Sequence, residues 1–476
     1  MTTPQADSQT VDNSQRPTLS GQLGRGDHLY RVELRYASQY SLWLRFVDDQ
    51  PPSPLGLYDH LTLNAEILTI ETGRCEIIAP KNEDSDYRLV ALENIHDFKK
   101  LLFDGRIDVL DNTARNLPLV LGYKDNIDPA FREHVADIAY DLSIYHNLFD
   151  RLDEEYANEP PEVAERIQAG ILASLGPQLH DCIDHHIQRL EGLIAGFDGE
   201  QHSHHGYYLR KLIWGDLLCA PFIARTNLKP RGYIGDSEMM AMCYRNTYEG
   251  ESTFGKLLHK HPVSAPGAQA VRNRREIIPQ LIRAQLPRWP QCNIEAPFKF
   301  LSVACGPARE LADIYINPDD ADNIHASLLD QDPAALFEAG KTVESIETQL
   351  NGKLSVDFIR ESVRTLLSTR ELKARWGDFH FIYSMGLFDY LTPPVASAVL
   401  RKLYALLLPG GEMAIGNFHE SNPSRYYMDY WLDWPIIYRT EDSFTALAEG
   451  LEGAQTWIEF DDTGVQMMLR IRKRES

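Results

Sequence analysis

Small and acidic residues stand at the ends of four apolar stretches in the last third of the chain, and such residues could bind a nucleoside. The first stretch, Phe298–Ala304, runs into a glycine turn, and the second, Ile324–Leu329, ends at Asp330. Parallel strands at these places would bring their carboxyl ends to one edge of a sheet, where open α/β sheets bind ligands. A carboxylate there could accept hydrogen bonds from both hydroxyls of a ribose. The candidate ligand-binding residues at the four ends are Ala304, Cys305, Gly306, Asp330, Gln331, Ser362, Val363, Ser384, Met385 and Gly386.

The first two strand ends also have plainer interpretations. Taken alone, Lys299–Glu310 is what an ordinary strand-to-helix turn around Gly306 would show. Asp330 could cap the helix predicted at Ala334–Ala339, and Asp332 competes with it for the ribose. Four suitable strand ends in sequence order favour a ligand site over coincidence.

Strands and helices alternate from residue 291 to residue 476, which is the pattern of a doubly wound sheet with helices on both faces. Five strand–helix units are followed by a hairpin around Asp461–Gly464. The sequence therefore predicts a Rossmann-like α/β domain with a seven-stranded sheet over residues 291–476. The predicted strands are Phe298–Ala304, Ile324–Leu329, Leu354–Ile359, Phe379–Tyr383, Glu412–Gly416, Thr456–Phe460 and Val465–Arg472.

The chain before residue 291 divides into three parts. Residues 1–27 are polar with few large apolar side chains, and a disordered tail is predicted there. Residues 28–93 show short alternating stretches between turn signals, Leu61–Ile70 among them, which is typical of a small β-barrel or sandwich. Residues 94–290 carry apolar residues at helical spacing and are predicted to form an α-helical lid or substrate region, with a candidate break at Gly176-Pro177.

Charge and composition exclude several kinds of partner. Acidic side chains outnumber basic ones by 69 to 47, and the net charge of −22 repels nucleic acid and anionic membrane surfaces. No apolar run approaches the roughly 20 residues that span a bilayer, so no stable membrane insertion is expected. Six cysteines without paired spacing are typical of reduced thiols in a cytoplasmic protein. A homo-oligomer is compatible with the sequence.

Two groups of histidines are candidate metal ligands. They are His202–His205, which suits a solvated loop, and His185-His186, which suits a helix surface. Neither group has a carboxylate or cysteine at a convincing ligand spacing. No metal site is therefore predicted.

Two segments of the helical region could hold an anion. Asn227–Asp236 is polar, basic and rich in glycine, which permits unusual backbone angles. Ala270–Arg275 opens a helix with three arginines, of which Arg272 and Arg275 lie one turn apart on one face, whereas Arg274 points elsewhere. The plainer interpretation is a capped helix with a solvated basic face, and the functional one is a guanidinium fork for an anionic group.

Three segments of the C-terminal part carry a known pattern, and they are Leu301–Ala308, Leu328–Pro333 and Leu406–Gly411. They resemble class I S-adenosylmethionine-dependent methyltransferases over about residues 298–472. The resemblance implies a Rossmann-like fold and S-adenosyl-L-methionine as the cofactor. This chain departs from the general pattern at Ser302, where an acidic residue is usual, and at Ala304 and Ala308, where glycines are customary.

A second set of segments, the longer sequence strings, includes the departing residues Ala304 and Ala308. These strings are Lys229–Asp236, Ala270–Arg275, Ala304–Glu310, Gly386–Leu391, Gly416–Phe418, Tyr427–Asp429, Asp433-Trp434 and Tyr438-Arg439. They are similar to a bacterial methyltransferase family linked to the extracellular signal 3-hydroxypalmitic acid methyl ester. The similarity implies a carboxyl O-methyltransferase that makes the methyl ester of a 3-hydroxy fatty acid for quorum sensing.

Methyl transfer to a carboxylate needs little acid–base chemistry, because a carboxylate is already ionised at about pH 7. The enzyme must mainly align oxygen, carbon and sulfur and exclude water. An arginine or tyrosine is expected to steer the carboxylate, and the candidates are Arg231, Tyr233, Arg272 and Tyr390. Asn417 and His419, just after the fifth predicted strand, are expected to line the acceptor pocket, where the histidine could serve as a base toward a hydroxyl. An ordinary polar loop is the plainer interpretation of both.

Arg31 and Arg35 in the N-terminal part have the spacing of an RxxxR arm, and Ser53–Gly56 matches the second half of a DxSxxG turn. These fragments resemble a degenerate PilZ domain, the bacterial cyclic-di-GMP receptor module. Pro51 stands at the acidic position of the turn, so binding of cyclic di-GMP is not expected. Two other functions stay open: a cyclic-di-GMP-regulated methyltransferase acting on another small-molecule acceptor, and a non-catalytic nucleoside-binding regulator.

Overall fold

The computed structural model describes residues 20–26, 28–37, 42–47, 55–64, 69–81, 86–91, 121–293 and 295–475. They belong to two compact units, the first within residues 1–118 and the second formed by residues 119–229 and 233–476. Among these described residues, no helix is both long and apolar enough to cross a membrane.

The first unit is an antiparallel β-sheet. Its strands are β1 (Ser20–Arg25), β2 (His28–Ala37), β3 (Leu42–Phe46), β4 (Gly56–Tyr58), β5 (His60–Asn64), β6 (Thr69–Thr72), β7 (Cys75–Lys81) and β8 (Asp86–Ala91). They are ordered β4-β7-β8-β3-β2-β1-β5-β6. Alternate residues such as Val32, Leu44 and Leu61 are buried in one core, as the two-residue period of a strand requires. The predicted strand Leu61–Ile70 is wrong in detail, because β5 ends at Asn64 and β6 begins at Thr69.

β1 lies inside the segment predicted to be a disordered tail, so that prediction is wrong for residues 20–25. β1 pairs with both β2 and β5, and Leu23 is completely buried. Its glycines hid the strand pattern, but they are needed for close approach: a Cβ at Gly21 would lie 2.4 Å from the carbonyl oxygen of Thr62. Small residues therefore support strand pairing here through packing that composition does not reveal.

Arg31 and Arg35 lie on the exposed side of β2. Pro51 and Ser53, on which the expectation about cyclic di-GMP also depends, are outside the described residues.

The second unit begins with long helices, as the helical periodicity predicts. They are α1 (Pro129–Tyr156), α2 (Pro161–Ile194), α3 (Gly199–Leu217), α4 (Pro221–Leu228), α5 (Ser237–Arg245), α6 (Thr253–Ser264) and α7 (Pro266–Gln285). Their apolar faces form one core that includes Phe131, Ile183, Ile213 and Phe254. Asp128 starts α1 by accepting a hydrogen bond from the amide of Phe131 at 3.0 Å, as an N-cap residue does.

The candidate helix break at Gly176-Pro177 does not occur, because α2 continues through Pro177. Gly176, Leu179 and Ile183 on either side of the proline are buried on one face. A Cβ at Gly176 would lie 2.7 Å from a methyl carbon of Leu257 in α6. Tertiary packing on both sides of the proline therefore outweighs its local tendency to interrupt a helix.

The second unit ends in a mixed sheet. Its strands are β9 (Phe298–Val303), β10 (Ile324–Asp330), β11 (Ser355–Arg360), β12 (Phe379–Ser384), β13 (Leu407–Phe418), β14 (Ala454–Phe460) and β15 (Gln466–Lys473). The order is β11-β10-β9-β12-β13-β15-β14, with β15 antiparallel to both neighbours. Numbered within the sheet this is 3-2-1-4-5-7-6, which fits a Rossmann-like doubly wound fold with one antiparallel strand.

Helices and apolar residues cover both faces of this sheet. The helices are α8 (Leu311–Ile314), α9 (Pro318–Asn323), α10 (Pro333–Leu350), α11 (Val363–Ser368), α12 (Leu372–Trp376), α13 (Pro393–Ala405), α14 (Arg425–Tyr430) and α15 (Glu441–Thr445). Leu301 and Val303 of β9 belong to one core, whereas Phe298 and Phe300 belong to the other. Because both of their faces are buried, the central strands such as β9 and β12 read as nearly continuous apolar runs, whereas the edge strands β11 and β14 are more exposed.

Candidate active site

The turn after β9 has the backbone shape of a glycine loop although it contains alanines. Ala304, Gly306 and Ala308 have φ angles of 56°, 55° and 49°, all in the left-handed region. The amide of Cys305 donates to the carbonyl of Leu329 at 3.0 Å, which ties the turn to β10. A Cβ added at Gly306 would have no described atom within 4 Å, so this side of the loop is open. The alanines that depart from the general methyltransferase pattern therefore keep the glycine-type conformation.

Ala304→Gly is expected to raise the free energy of unfolding by up to about 1 kcal/mol, because glycine lacks the Cβ that makes the left-handed region unfavourable. The extra freedom of glycine in the unfolded chain offsets part of this gain. Thermal unfolding followed by circular dichroism measures the change. The exposed Ala136 in the middle of α1 is the matched control, and Ala136→Gly should instead lower stability. Equal losses at both positions would contradict the strain at Ala304.

Asp330 ends β10 and points at the glycine-type loop. One carboxylate oxygen accepts from the amide of Gly306 and the other from the amide of Asp332, both at 2.9 Å. The side chain is 8% exposed, and burial raises the pKa of Asp330 to about 6. The carboxylate is thus held at the edge of the sheet where a ribose could reach it.

Asp332, not Asp330, caps the following helix. Its carboxylate accepts from the amide of Ala334 at 2.9 Å, and its other oxygen accepts from the hydroxyl of Tyr233 at 2.6 Å. Burial, followed by the charge of Asp332, raises the pKa of Tyr233 above its usual range. Tyr233 was expected to steer the acceptor, but the structure places it beside the second strand end.

The third and fourth strand ends are used partly for packing. Ser362 caps α11 by accepting from the amide of Thr365 at 3.3 Å, and Val363 begins that helix. Ser384 is completely buried and donates to the carbonyl of Val303 at 2.9 Å, so its hydroxyl joins β12 to β9 rather than facing a ligand. Gln331 is exposed after β10.

The fourth strand end is covered by an arginine that sequence reasoning missed. Arg274 of α7 is 6% exposed and donates to the carbonyl of Met385 at 3.2 Å. A Cβ on Gly386 would lie 3.0 Å from its guanidinium. The Nε atom of Arg274 is buried without a hydrogen-bond partner among the described residues. A buried guanidinium with an unused donor is a candidate binding group for an anion.

Arg272 and Arg275, for which a guanidinium fork was one of two interpretations, have other partners. Arg272 donates to the carbonyls of Cys243 and Val263 at 2.7 and 2.8 Å, which ties α5 and α6 to α7. Arg275 pairs with Asp313 at 2.9 Å on a partly exposed surface. A signal for Arg274 was present in the sequence, because it continues the apolar row of buried positions Gly267, Ala270, Val271, Arg274, Ile278 and Ile282.

Asp389 lies against Arg274, with 3.9 Å between a carboxylate oxygen and Nη1. Its other oxygen accepts from the amide of Phe418 at 2.8 Å, at the end of β13. Burial raises the pKa of Asp389 to about 6, although the Arg274 charge acts in the opposite direction. The neighbouring Tyr390 accepts a hydrogen bond from the indole of Trp434 at 2.8 Å. These contacts bring the ends of β12 and β13 together beside the buried guanidinium of Arg274.

The remaining predicted acceptor residues lie outside this cluster. Asn417 is completely buried, donates to the carbonyls of Phe418 and Ile437 at 2.9 Å and accepts from Arg439, so it holds the strand end. The ring nitrogens of His419 contact Ser421 at 2.7 Å and Glu441 at 3.2 Å. Arg231 lies in residues 230–232, which are not part of the second unit.

An apolar cavity lies behind Trp434. Its volume is about 10 Å³, which is the space of roughly one water molecule. Its lining includes Phe222, Ala268, Met428, Leu432 and Trp434. Trp434 thus connects this cavity to Tyr390, the residue after Asp389.

Comparison with protein-family models finds no match. A comparison with curated proteins finds none either. Among solved structures, the chain is similar to a possible exported protein from Bordetella parapertussis, with 17% identity, 66% of this chain and 99% of that chain covered, and a TM-score of 0.41.

Two further similar structures are methyltransferases. Magnesium protoporphyrin IX methyltransferase from Synechocystis PCC 6803 with bound SAM has 12% identity, covers 43% of this chain and 83% of that chain, and has a TM-score of 0.30. N-methyltransferase NodS from Bradyrhizobium japonicum WM9 has 14% identity, covers 43% and 88%, and has a TM-score of 0.29. Because these TM-scores are below 0.5, the fold rests on the strand order and not on these likenesses.

Proposed function

We propose that this protein is a methyltransferase that uses S-adenosyl-L-methionine. The observation that carries the proposal is Asp330, whose carboxylate ends the second strand of a 3-2-1-4-5-7-6 sheet and accepts from the Gly306 amide. Asp330 would accept hydrogen bonds from the ribose hydroxyls, and Val363 would contact the adenine. The open glycine-type loop would let backbone amides approach the methionine end. The cofactor supplies an activated methyl group on a sulfonium.

The acceptor is proposed to be a carboxylate, which Arg274 would hold. Its unpartnered Nε lies beside the strand ends where the acceptor side of the site is expected. A guanidinium can bind both oxygens of a carboxylate and fix the direction of attack. Because the oxygen is already ionised, the chain's own residues need only align it and keep water away. Asp389 balances the arginine charge before the acceptor arrives.

The acceptor is further proposed to be a 3-hydroxy fatty acid, and its methyl ester a quorum-sensing signal. The family resemblance stated for the longer sequence strings supports this class. The apolar side chains around Trp434 would provide the wall that an acyl chain needs next to its carboxylate, and the small cavity there would have to widen to take the chain. The helices α4, α6 and α7 would then form the acyl-chain side of the site, as expected of residues 94–290.

The N-terminal unit is proposed to be PilZ-like over residues 28–93, with the methyltransferase domain over residues 291–476. A PilZ-like fold is compatible with the strands β2 and β3 of the N-terminal unit and with its exposed Arg31 and Arg35. Cyclic di-GMP is not proposed as a ligand, because Pro51 stands where the turn needs an acidic residue.

The test is incubation of the protein with methyl-labelled S-adenosylmethionine and a series of fatty acids, followed by mass spectrometry. The expected product is a labelled methyl ester, formed fastest from 3-hydroxyhexadecanoic acid. The corresponding primary amide is the control, since it has the same chain but no carboxylate. Cofactor binding without labelled ester from any acid would overturn the acceptor class. Absence of both binding and transfer would overturn the methyltransferase proposal.

A further inference from the structure

A thiol, an imidazole and a carboxylate meet between the two longest helices of the second unit. Asp141 lies on α1, whereas Cys182 and His186 lie on α2. Their potential ligand atoms all lie within 4.8 Å of one another. Nε2 of His186 is 2.9 Å from a carboxylate oxygen of Asp141, and the sulfur of Cys182 is 3.9 Å from the same oxygen.

These three groups are of the ligand types that zinc binds in proteins. Zinc takes thiolate, imidazole and carboxylate ligands, and tetrahedral geometry places them about 3.3–3.6 Å apart. The observed 2.9 and 3.9 Å lie on either side of this range, and the third pair lies within 4.8 Å, so side-chain shifts of up to about an ångström would bring all three atoms to tetrahedral spacing. We propose that Asp141, Cys182 and His186 bind one zinc ion between α1 and α2, with water at the fourth position.

The helices make the site rigid and leave an entry path. Cys182 and His186 are four residues apart, so α2 places both side chains on one face. The side chain of His186 is 4% exposed, whereas that of Asp141 is 41% exposed. A metal ion can therefore enter from solvent beside Asp141 and bind against the buried imidazole.

Two buried ring nitrogens, Nδ1 of His134 and Nδ1 of His186, lie near the proposed zinc site without hydrogen-bond partners among the described residues. Nε2 of His134 bonds to the carbonyl of His186 at 3.1 Å, and a carbonyl only accepts, so Nδ1 of His134 carries no proton. Nε2 of His186 likewise donates to Asp141. Nδ1 of each ring is buried and has no hydrogen-bond partner within the described parts of the chain.

Zinc binding would pair these two atoms. When the metal takes the lone pair of Nε2, the imidazole proton of His186 is carried on Nδ1. The centroids of the His134 and His186 rings are 5.3 Å apart, and the two rings would have to turn toward each other for the unprotonated Nδ1 of His134 to accept that proton. The Cys182 thiol gives its proton to solvent as the sulfur–metal bond forms. Metal-bound histidines usually donate their second N–H to such an outer partner.

The sequence alone did not indicate this site. His185-His186 has no second ligand in a known metal motif, and Cys182, one helical turn earlier, suits a buried thiol equally well. Asp141 comes from the other helix and is brought to the site only by the packing of α1 on α2. The inference does not rest on the proposed function, because none of its residues belongs to the candidate active site.

The test uses the full chain, reduced and stripped of metal by a chelator, titrated with cobalt chloride. One equivalent of Co²⁺ should give a thiolate-to-cobalt charge-transfer band, which zinc chloride then abolishes. Zinc should also raise the unfolding temperature. His186→Gln should weaken zinc binding by at least about 100-fold, and His134→Ala by about 10-fold, as expected for a ligand and its outer partner.

His185→Gln is the matched control, because His185 is the exposed neighbour on α2 and should leave the band unchanged. Cys182→Ser should remove the band. If it unfolds the protein by circular dichroism, Asp141→Asn replaces it, since that side chain is half-exposed. No band from the folded wild-type chain would overturn the proposal. An undiminished band in Cys182→Ser, or an unchanged cobalt affinity in Asp141→Asn, would also overturn it, as adventitious binding.

Discussion

Arg274→Ala is expected to lower kcat/KM for methyl transfer by roughly 100- to 1,000-fold. The carboxylate bound in the site would lose its guanidinium partner, and removing one partner of a buried charge pair costs about 2–5 kcal/mol. Arg274 is buried against Asp389 and the Met385 carbonyl, with a donor left for an anion. Steady-state kinetics with the labelled methyl assay measures the loss. Arg274→Lys keeps the charge without the planar fork and should be impaired less than the alanine variant.

Arg275→Ala is the control for this prediction. Arg275 is the next residue on α7 but pairs with Asp313 on a partly exposed surface, and its loss should leave kcat/KM nearly unchanged.

Calorimetry distinguishes the two carboxylates that Arg274 could bind, that of the acceptor and that of the cofactor's methionine part. A higher KM for the fatty acid with unchanged cofactor binding identifies the acceptor carboxylate. Weaker binding of S-adenosylmethionine identifies the methionine carboxylate instead. Unchanged kinetics and binding in folded Arg274→Ala would exclude both.

Asp330→Asn is expected to weaken S-adenosylmethionine binding by roughly 30- to 100-fold. A hydrogen bond to a charged group contributes about 1.5–3 kcal/mol, and the carboxylate would accept from two ribose hydroxyls. Isothermal titration calorimetry with S-adenosylhomocysteine gives the Kd directly. The 2′-deoxy analogue completes a double-mutant cycle: wild-type protein should discriminate against it, and Asp330→Asn should discriminate much less.

Asp332→Asn is the matched control, because it alters the neighbouring carboxylate while asparagine still caps α10. It should leave the Kd nearly unchanged. Asp330 is the last residue of β10 and Asp332 lies two residues further on, so a larger effect at Asp332 would transfer the ribose role to that residue. Wild-type affinity in both variants would contradict a nucleoside site at this strand end.

The strand ends were predictable because their signals are local. An apolar run followed by Asp330 or by Gly306 shows a buried strand and its end, and parallel strands bring those ends together whatever the rest of the chain does. The class of the C-terminal fold could be predicted for the same reason. The antiparallel hairpin of β14 and β15 was predicted from its turn residues, whereas the strand order, with β15 between β13 and β14, was seen only in the structure.

Side-chain roles were less predictable wherever they depend on another element. Arg272 and Arg274 differ by two positions on α7, yet one ties helices together and the other lies over β12. Ser384 and Asn417 lie at strand ends, but their side chains donate hydrogen bonds to backbone carbonyls of neighbouring segments. Position on a helix or strand tells which way a side chain points, and it does not tell which groups will be there.

The sequence by itself determined an acidic, multi-part chain with a β-rich start, a helical middle and an α/β end whose second strand closes on Asp330. Only the tertiary structure decided that Asp332 is the helix cap, that Arg274 is the buried cation of the candidate active site, and that Asp141 meets Cys182 and His186. The physical reason is that hydrophobic periodicity and turn residues act over a few neighbours in the chain. Polar partnerships instead form between groups that packing brings together from distant elements.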